Sequence, residues 1–165
     1  MQAGLKPSED ELRWSEIKEE PCSLARTVSV IGDRWTLLIL RDCFLGVRRF
    51  DDFQGRLGVT RHVLADRLTK LVEHGVLARS PYLEHPPRFE YRLTQKGRDL
   101  HPVIMGLVHW GDMHMAGEDG RPLLHRHKRC GCDFDPVLVC SACAEPVTAR
   151  DVETRPGPGA RLDWS

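Results

Sequence analysis

The chain reads as an α+β fold, mostly α, with a small cysteine-rich appendage. Three observations predict it. Apolar residues recur at helical spacing through most of residues 21–117. Two short strand-like runs, parted by adjacent prolines, interrupt that pattern once. Beyond it, four of the six cysteines gather in a segment poor in large apolar side chains. With 165 residues, 41% hydrophobic and 29% charged, the chain has room for one full domain and a small addition, and it is too apolar for disorder. No apolar run approaches the roughly 18–20 residues that span a bilayer. The first thirty residues are acid-rich and lack an apolar stretch, which argues against a secretory signal and for the cytoplasm. Thiols there stay reduced, so clustered cysteines point to ligands or redox centres rather than staples. Twenty-four basic residues cancel twenty-four acidic ones, so charge is informative only locally.

Residues 1–20 form a polar arm with six acids against Lys6, Arg13 and Lys18. In the zone 21–117, Leu24, Val28 and Ile31 mark one face of a helix over 23–31. Gly32-Asp33 breaks it, and Asp33 is placed to cap the next helix, 34–45. Trp35, Leu37, Leu38, Ile39 and Leu40 leave that helix almost no polar face, so it is buried on most sides; Gly46 ends it. Phe50, Phe53 and Leu57 give a short amphipathic helix, and Gly58-Val59 turns the chain. Thr60 caps a helix reaching His74, and Gly75 supplies the left-handed residue on which many helices stop. The runs Val76–Leu83 and Phe89–Leu93 flank Glu84-His85-Pro86-Pro87-Arg88, a hairpin loop that cannot be helix. Thr94 caps a long last helix, 95–115, with a wide apolar stripe of Leu100, Val103, Ile104, Leu107, Val108 and Trp110. Residues 118–150 hold the cysteine cluster, and 151–165 form a Pro/Gly-rich tail. No internal repeat is visible.

Helix, helix, short helix, turn, helix, hairpin is the order of a winged helix-turn-helix. In the helix 60–74, Leu64, Leu68, Leu71 and Val72 fall on one side and form the core face. The other side carries His62, Ala65, Asp66, Thr69 and Glu73, with Lys70 at its edge. Its N-terminal end, Thr60, Arg61 and His62, is where such a helix meets base edges in the major groove. From Thr60 to Arg98, eight basic residues stand against four acidic ones, a local excess of four positive charges in a neutral chain. That excess suits phosphate neutralisation on double-stranded DNA. His85 and Arg88 are the wing-tip contacts. Asp66 either accepts from a cytosine amine or is idle. Arg67 lies off the groove face and is placed to pair with Asp51 or Glu73; His74 and His101 are structural or solvated.

The residues Gly32-Asp33-Arg34-Trp35-Thr36-Leu37-Leu38-Ile39-Leu40, then Arg49-Phe50-Asp51-Asp52-Phe53, Gly75-Val76-Leu77, Tyr82, Pro86-Pro87, Glu90-Tyr91, Leu93-Thr94, Gly97 and Trp110 keep an order that resembles the HxlR family of bacterial transcription regulators. The resemblance covers about 22–115. It implies a homodimer on a palindromic operator, more often repressing, with the first and last helices packed across the two-fold. Leu24, Val28, Val103, Leu107 and Trp110 would lie in that interface. Some members sense electrophiles or oxidants through a cysteine just before the first helix, where Cys22 stands. A thiol at a helix N-terminus is favoured for reaction, although a quiet structural cysteine is the plainer reading. Cys43, in an apolar helix, reads as core.

Cys130-Gly131-Cys132 and Cys140-Ser141-Ala142-Cys143 can enclose a tetrahedral Zn²⁺. His125 or His127 could replace Cys130, and a reversible disulfide or inert thiols are the alternatives. Asp133 to Val139 would form a short hairpin limb. Metal binding would offset the ordering entropy of a segment that cannot build a core. The sequence thus predicts a regulator and no enzyme. Its rivals are a thiol- or metal-responsive regulator using Cys22 or the C-terminal cysteines, and remotely a Cys-x-x-Cys oxidoreductase, which Pro146 disfavours by breaking the helix that should follow the pair. An apolar dimer cleft could also hold a small-molecule effector.

Overall fold

A computed structural model describes residues 22–160, and all that follows concerns them. The acidic arm and the last residues of the tail lie outside the described residues. The elements run α1 (Ser23–Ile31), α2 (Arg34–Phe44), α3 (Phe50–Leu57), α4 (Arg61–Glu73), β1 (Leu77–Leu83), β2 (Arg88–Leu93), α5 (Gln95–Arg98) and α6 (His101–His114). This is the winged helix-turn-helix that the apolar spacing predicts. No helix among the described residues is long and apolar enough to cross a membrane.

The boundaries follow from local chemistry. Asp33 caps α2 by accepting the N–H groups of Trp35 (3.0 Å) and Thr36 (3.2 Å). Thr60 caps α4 by accepting from the Val63 N–H (3.4 Å), and Gly58 and Gly75 take the left-handed φ values, 63° and 66°, that close α3 and turn the chain after α4. The core is one cluster. Ile39 and Leu40 of α2, Phe53 of α3, Leu64, Leu68 and Leu71 of α4 and Leu77 of β1 are all at most 1% exposed. The last turn of α2 is less apolar than its sequence suggests. Asp42 is fully buried, neutralised by Arg41 (2.8 Å) and by Arg56 of α3 (3.2 Å), whose outer ends reach solvent.

β1 and β2 pair antiparallel from Leu77 opposite Leu93 to Pro81 opposite Phe89, then slip by a bulge before Leu83 meets Arg88. The base of this wing is fastened to the end of α4. The Thr94 hydroxyl donates to the Gly75 carbonyl (2.6 Å), and the Lys96 ammonium donates to the His74 carbonyl (2.8 Å). Gly97 sits so close to the strand that a Cβ there would overlap the Val76 carbonyl oxygen.

The structure corrects two expectations. The single last helix is two: α5 ends at Arg98 and α6 begins at His101. Pro102 is the physical reason, since it has no N–H for the Arg98 carbonyl and its ring crowds that position, whereas it is well accommodated in a first turn. Nor is Asp133–Val139 a strand limb. Short cross-bridges form on either side of it, Arg126 with Asp133 and Val139 with Pro146. Beyond Met105 no described residue is buried. The appended segment leans on α6 through Asp135, which is ion-paired to Arg121 and lies 3.5 Å from His109 Nδ1. A cavity of about 160 Å³ remains between them, walled by Met105, Val108, Leu123 and Phe134.

Candidate nucleic-acid interface

The leucines of α4 turn inward and leave its opposite side open. Thr60, Arg61, His62, Ala65, Asp66 and Thr69 are exposed, and Lys70 is half-buried at the edge. Three features fix the helix in place. The Thr60 cap starts it, the core face anchors it, and Arg67 locks it to α2. The Arg67 guanidinium donates to both carboxylate oxygens of Asp33 (2.8 and 3.3 Å). Asp33 therefore serves two purposes, as cap of α2 and as anchor of α4. Arg67 beside it, aided by the capped N–H groups, holds its carboxyl below the ordinary aspartate range, and the same contact raises Arg67. The sequence offered Asp51 or Glu73 as the partner of Arg67. Asp33 takes that role because the α2–α4 packing brings together residues far apart in the chain.

Arg67 also binds Asp66, so the one acid at the centre of the outward face is partly neutralised. Arg61 is not loose. Its guanidinium donates to Gln54 Oε1 (3.0 Å) and Asp51 Oδ1 (3.3 Å) on α3 and lies 4.8 Å from the centre of the Phe50 ring. It spans the two helices of the helix-turn-helix at their outer edge.

The wing stands beside this edge. Arg61, Phe50 and Asp51 share one cleft of about 330 Å³ with Tyr82, Pro86, Pro87, Arg88 and Phe89. The start of α4 and the hairpin tip thus flank a common concavity, with a guanidinium on each side. The bond between His85 and Pro86 is cis, and His85 and Arg88 are exposed at the tip. Sequence reasoning missed two cations here. Arg49 lies 4.5 Å from the centre of the Tyr82 ring and 3.4 Å from Glu90, and Arg79 lies 3.8 Å from the centre of the Phe89 ring. Alternation along β1 and β2 could have found Arg79 as a cross-strand neighbour of the aromatic on the facing strand.

The remaining singled-out residues fall elsewhere. Leu24, Val103, Leu107 and Trp110 are exposed, at 70%, 44%, 50% and 58%, and Val28 is half-buried. Cys22 is a free thiol at the N-cap of α1, with no capping bond from its side chain. Cys43 is also free, and burial pushes its thiol up to about 12 with help from Asp42, which suits a quiet packing role. Cys130, Cys132, Cys140 and Cys143 are free as well, and among the described residues no three His, Cys, Asp or Glu side chains are grouped closely enough to hold a metal ion.

Known proteins resemble this arrangement. A family model for the HxlR-like helix-turn-helix matches residues 30–119. An uncharacterised HTH-type transcriptional regulator of Mycobacterium tuberculosis is 48% identical over 137 residues, 83% of this chain and 87% of its own. The crystal structure of PA1607, a candidate transcription factor, superposes with a TM-score of 0.76 at 36% identity, over 86% of this chain and 98% of that one. The reduced form of the redox regulator HypR superposes with a TM-score of 0.53 at 30% identity, over 56% of this chain and 92% of its own.

Proposed function

The chain belongs to the HxlR family of helix-turn-helix proteins, and we propose that this DNA-binding transcriptional regulator acts as a homodimeric repressor whose paired α4 helices read a palindromic operator. It is a regulator and not an enzyme. The observation that carries the reading is the shared cleft. The exposed start of α4 and the wing tip face the same concavity, so one duplex can meet both.

The residues divide by chemistry. Arg61 and Arg88, on opposite lips, take phosphates; His85 reinforces the wing contact. Thr60, His62 and Thr69 lie along the outward side of α4, where short polar side chains can approach base edges. Lys70 at the edge takes backbone phosphate. Asp66, tied to Arg67, can accept from a cytosine amine without presenting a bare charge to phosphate. Exposed apolar groups on two helices support the dimer: Leu24 on α1 and Val103, Leu107 and Trp110 on α6, with Val28 beside them. Such side chains favour burial against a second copy. An operator-bound dimer at a promoter excludes polymerase, which gives repression.

Anisotropy titration of the full chain against a duplex recovered from a random library, and against its scrambled counterpart, tests this at two salt concentrations. If a dimer neutralises about 6–10 phosphates, affinity falls about 10³–10⁵-fold between 50 and 200 mM salt. Arg88→Ala weakens both duplexes alike, whereas His62→Ala closes the gap between them. Salt-insensitive binding, or no preference for the recovered duplex, contradicts the assignment.

A second reading adds an input. The similarity to a redox regulator and the free, half-exposed thiol of Cys22 ahead of α1 support a thiol-responsive version of the same regulator. Treatment of wild type and Cys22→Ser with hydrogen peroxide separates the two. Loss of operator affinity confined to wild type supports sensing, and equal affinity in all four samples removes it.

A further inference from the structure

The appended segment contains a repeat that its sequence hides. In the first turn, the Gly131 N–H donates to the His127 carbonyl (2.8 Å), and the His127 N–H donates to the Cys132 carbonyl (2.9 Å). The Phe134 N–H donates to the His125 carbonyl (2.9 Å). Thirteen residues on, the same three bonds recur. Ala144 donates to Cys140 (2.8 Å), Cys140 to Glu145 (2.8 Å) and Val147 to Leu138 (2.9 Å). A single cross-bridge closes each turn, Arg126 with Asp133 and Val139 with Pro146. The fifth position of each is left-handed: Gly131 at φ 75° and Ala144 at φ 61°. Ala144 is the one non-glycine in that region among the described residues, so the second turn holds this shape against an intrinsic cost.

The register assigns equivalents. His127 matches Cys140, Cys130 matches Cys143, and Cys132 matches Glu145. We infer that the two turns are the halves of one zinc site with a His-Cys₃ ligand set, His127 and Cys130 from the first turn and Cys140 and Cys143 from the second, and that Cys132 lies outside it.

Four observations carry this. First, the two turns place their donor side chains three residues apart on the same backbone frame, the spacing of a zinc knuckle. Second, the first pair is already drawn together, with His127 Nδ1 3.3 Å from Cys130 Sγ. A tetrahedral ion about 2.0 Å from a nitrogen and about 2.3 Å from a sulfur keeps those two atoms about 3.5 Å apart. Third, the sulfur contacts separate the two cysteines of the first turn: Cys130 Sγ lies against His127, 3.9 Å from its carbonyl oxygen, whereas Cys132 Sγ lies 3.7 Å from the Cys130 carbonyl oxygen. Fourth, histidine stands where the other turn has cysteine. The two are interchangeable as metal ligands but not as disulfide partners.

The two pairs are separate in this structure, and the metal is what brings them together. It supplies the order that packing does not, since every residue of the segment is at least partly exposed. Three thiolates and a neutral imidazole favour Zn²⁺. Binding releases up to three thiol protons to solvent and leaves the centre with one net negative charge, beside Lys128 and Arg129.

Metal analysis of the full chain, purified under reducing conditions, should find one zinc per chain. Replacement by Co²⁺ should give tetrahedral visible bands and thiolate charge transfer of a three-sulfur site. Cys132→Ser should keep both the stoichiometry and the spectrum, while Cys140→Ser should lose most of the metal. His127→Cys should keep the metal and move the Co²⁺ bands toward those of a four-sulfur site, a gain that does not depend on a damaged variant folding. Metal lost from Cys132→Ser but kept by His127→Ala would establish the four-cysteine set instead. Wild type without stoichiometric metal would overturn the site altogether.

Discussion

Leu68 and Leu138 carry the same side chain into opposite circumstances. Leu68, on α4, is fully enclosed, whereas Leu138, between the two cysteine turns, is 72% exposed. The difference holds for the regions around them. From α1 to α6 the chain is organised by burial: one core gathers residues from α1, α2, α3, α4, β1 and α6. From residue 118 to 150 nothing is buried, and order resides in backbone turns and a few polar ties. Burial leaves a periodic trace in a sequence; tight turns and ligand pairs leave only spacing. The two regions therefore differ in what a substitution can break.

Leu68→Ala should be the most damaging change, costing about 2–5 kcal/mol by transfer and cavity terms together. Thermal unfolding followed by helical circular dichroism would show it, and an unchanged Tm would deny α4 its place in the core. Gly97→Ala comes next. The added methyl meets the Val76 carbonyl oxygen, and the overlap should cost about 1–3 kcal/mol, read as a lower urea midpoint. The Asp33–Arg67 contact contributes through pH. The folded carboxyl titrates below its ordinary 3.8, so its contribution is complete above that value and is lost as pH falls through the folded pKa. Asp33→Asn should thus lower stability at neutral pH and flatten the acid limb below about pH 4; an unaltered acid limb would mean that the contact carries no stability. Leu138→Ala should be smallest, within about 0.5 kcal/mol of wild type by the same melt. A large loss there would show that the appended segment does own a core.

The same contrast explains what could be read from the sequence. The helices α1 to α4 and the wing lie within a residue or two of their expected bounds. Caps at Asp33, Thr60 and Thr94 and left-handed glycines at 58 and 75 punctuate a strong apolar period. The outward polar side of α4 was legible for the same reason. Pro102 carried the signal that divides the last helix, but the apolar stripe running past it outweighed that signal. Asp42 was hidden because an acid inside an apolar run has no periodic signature; its neutralising Arg56 comes from another helix. The Arg67–Asp33 bond and the Arg61 clamp on Gln54 and Asp51 are tertiary, and several acids compete on paper for each cation. In the appended segment the cysteines were visible but their equivalence was not. The repeat is one of backbone shape, with Gly131 answering Ala144 and His127 answering Cys140, so residue identity conceals it.

The central claim is that the open side of α4 reads bases while the clefted arginines hold the backbone. Selection of duplexes from a random library by wild type, His62→Ala and Thr69→Ala tests it most directly, with the melts of all three compared. The account predicts a two-fold symmetric motif for wild type and, for each variant, relaxed preference at particular base positions in both half-sites with Tm unchanged. The same motif from all three proteins, or no motif from any, would contradict it.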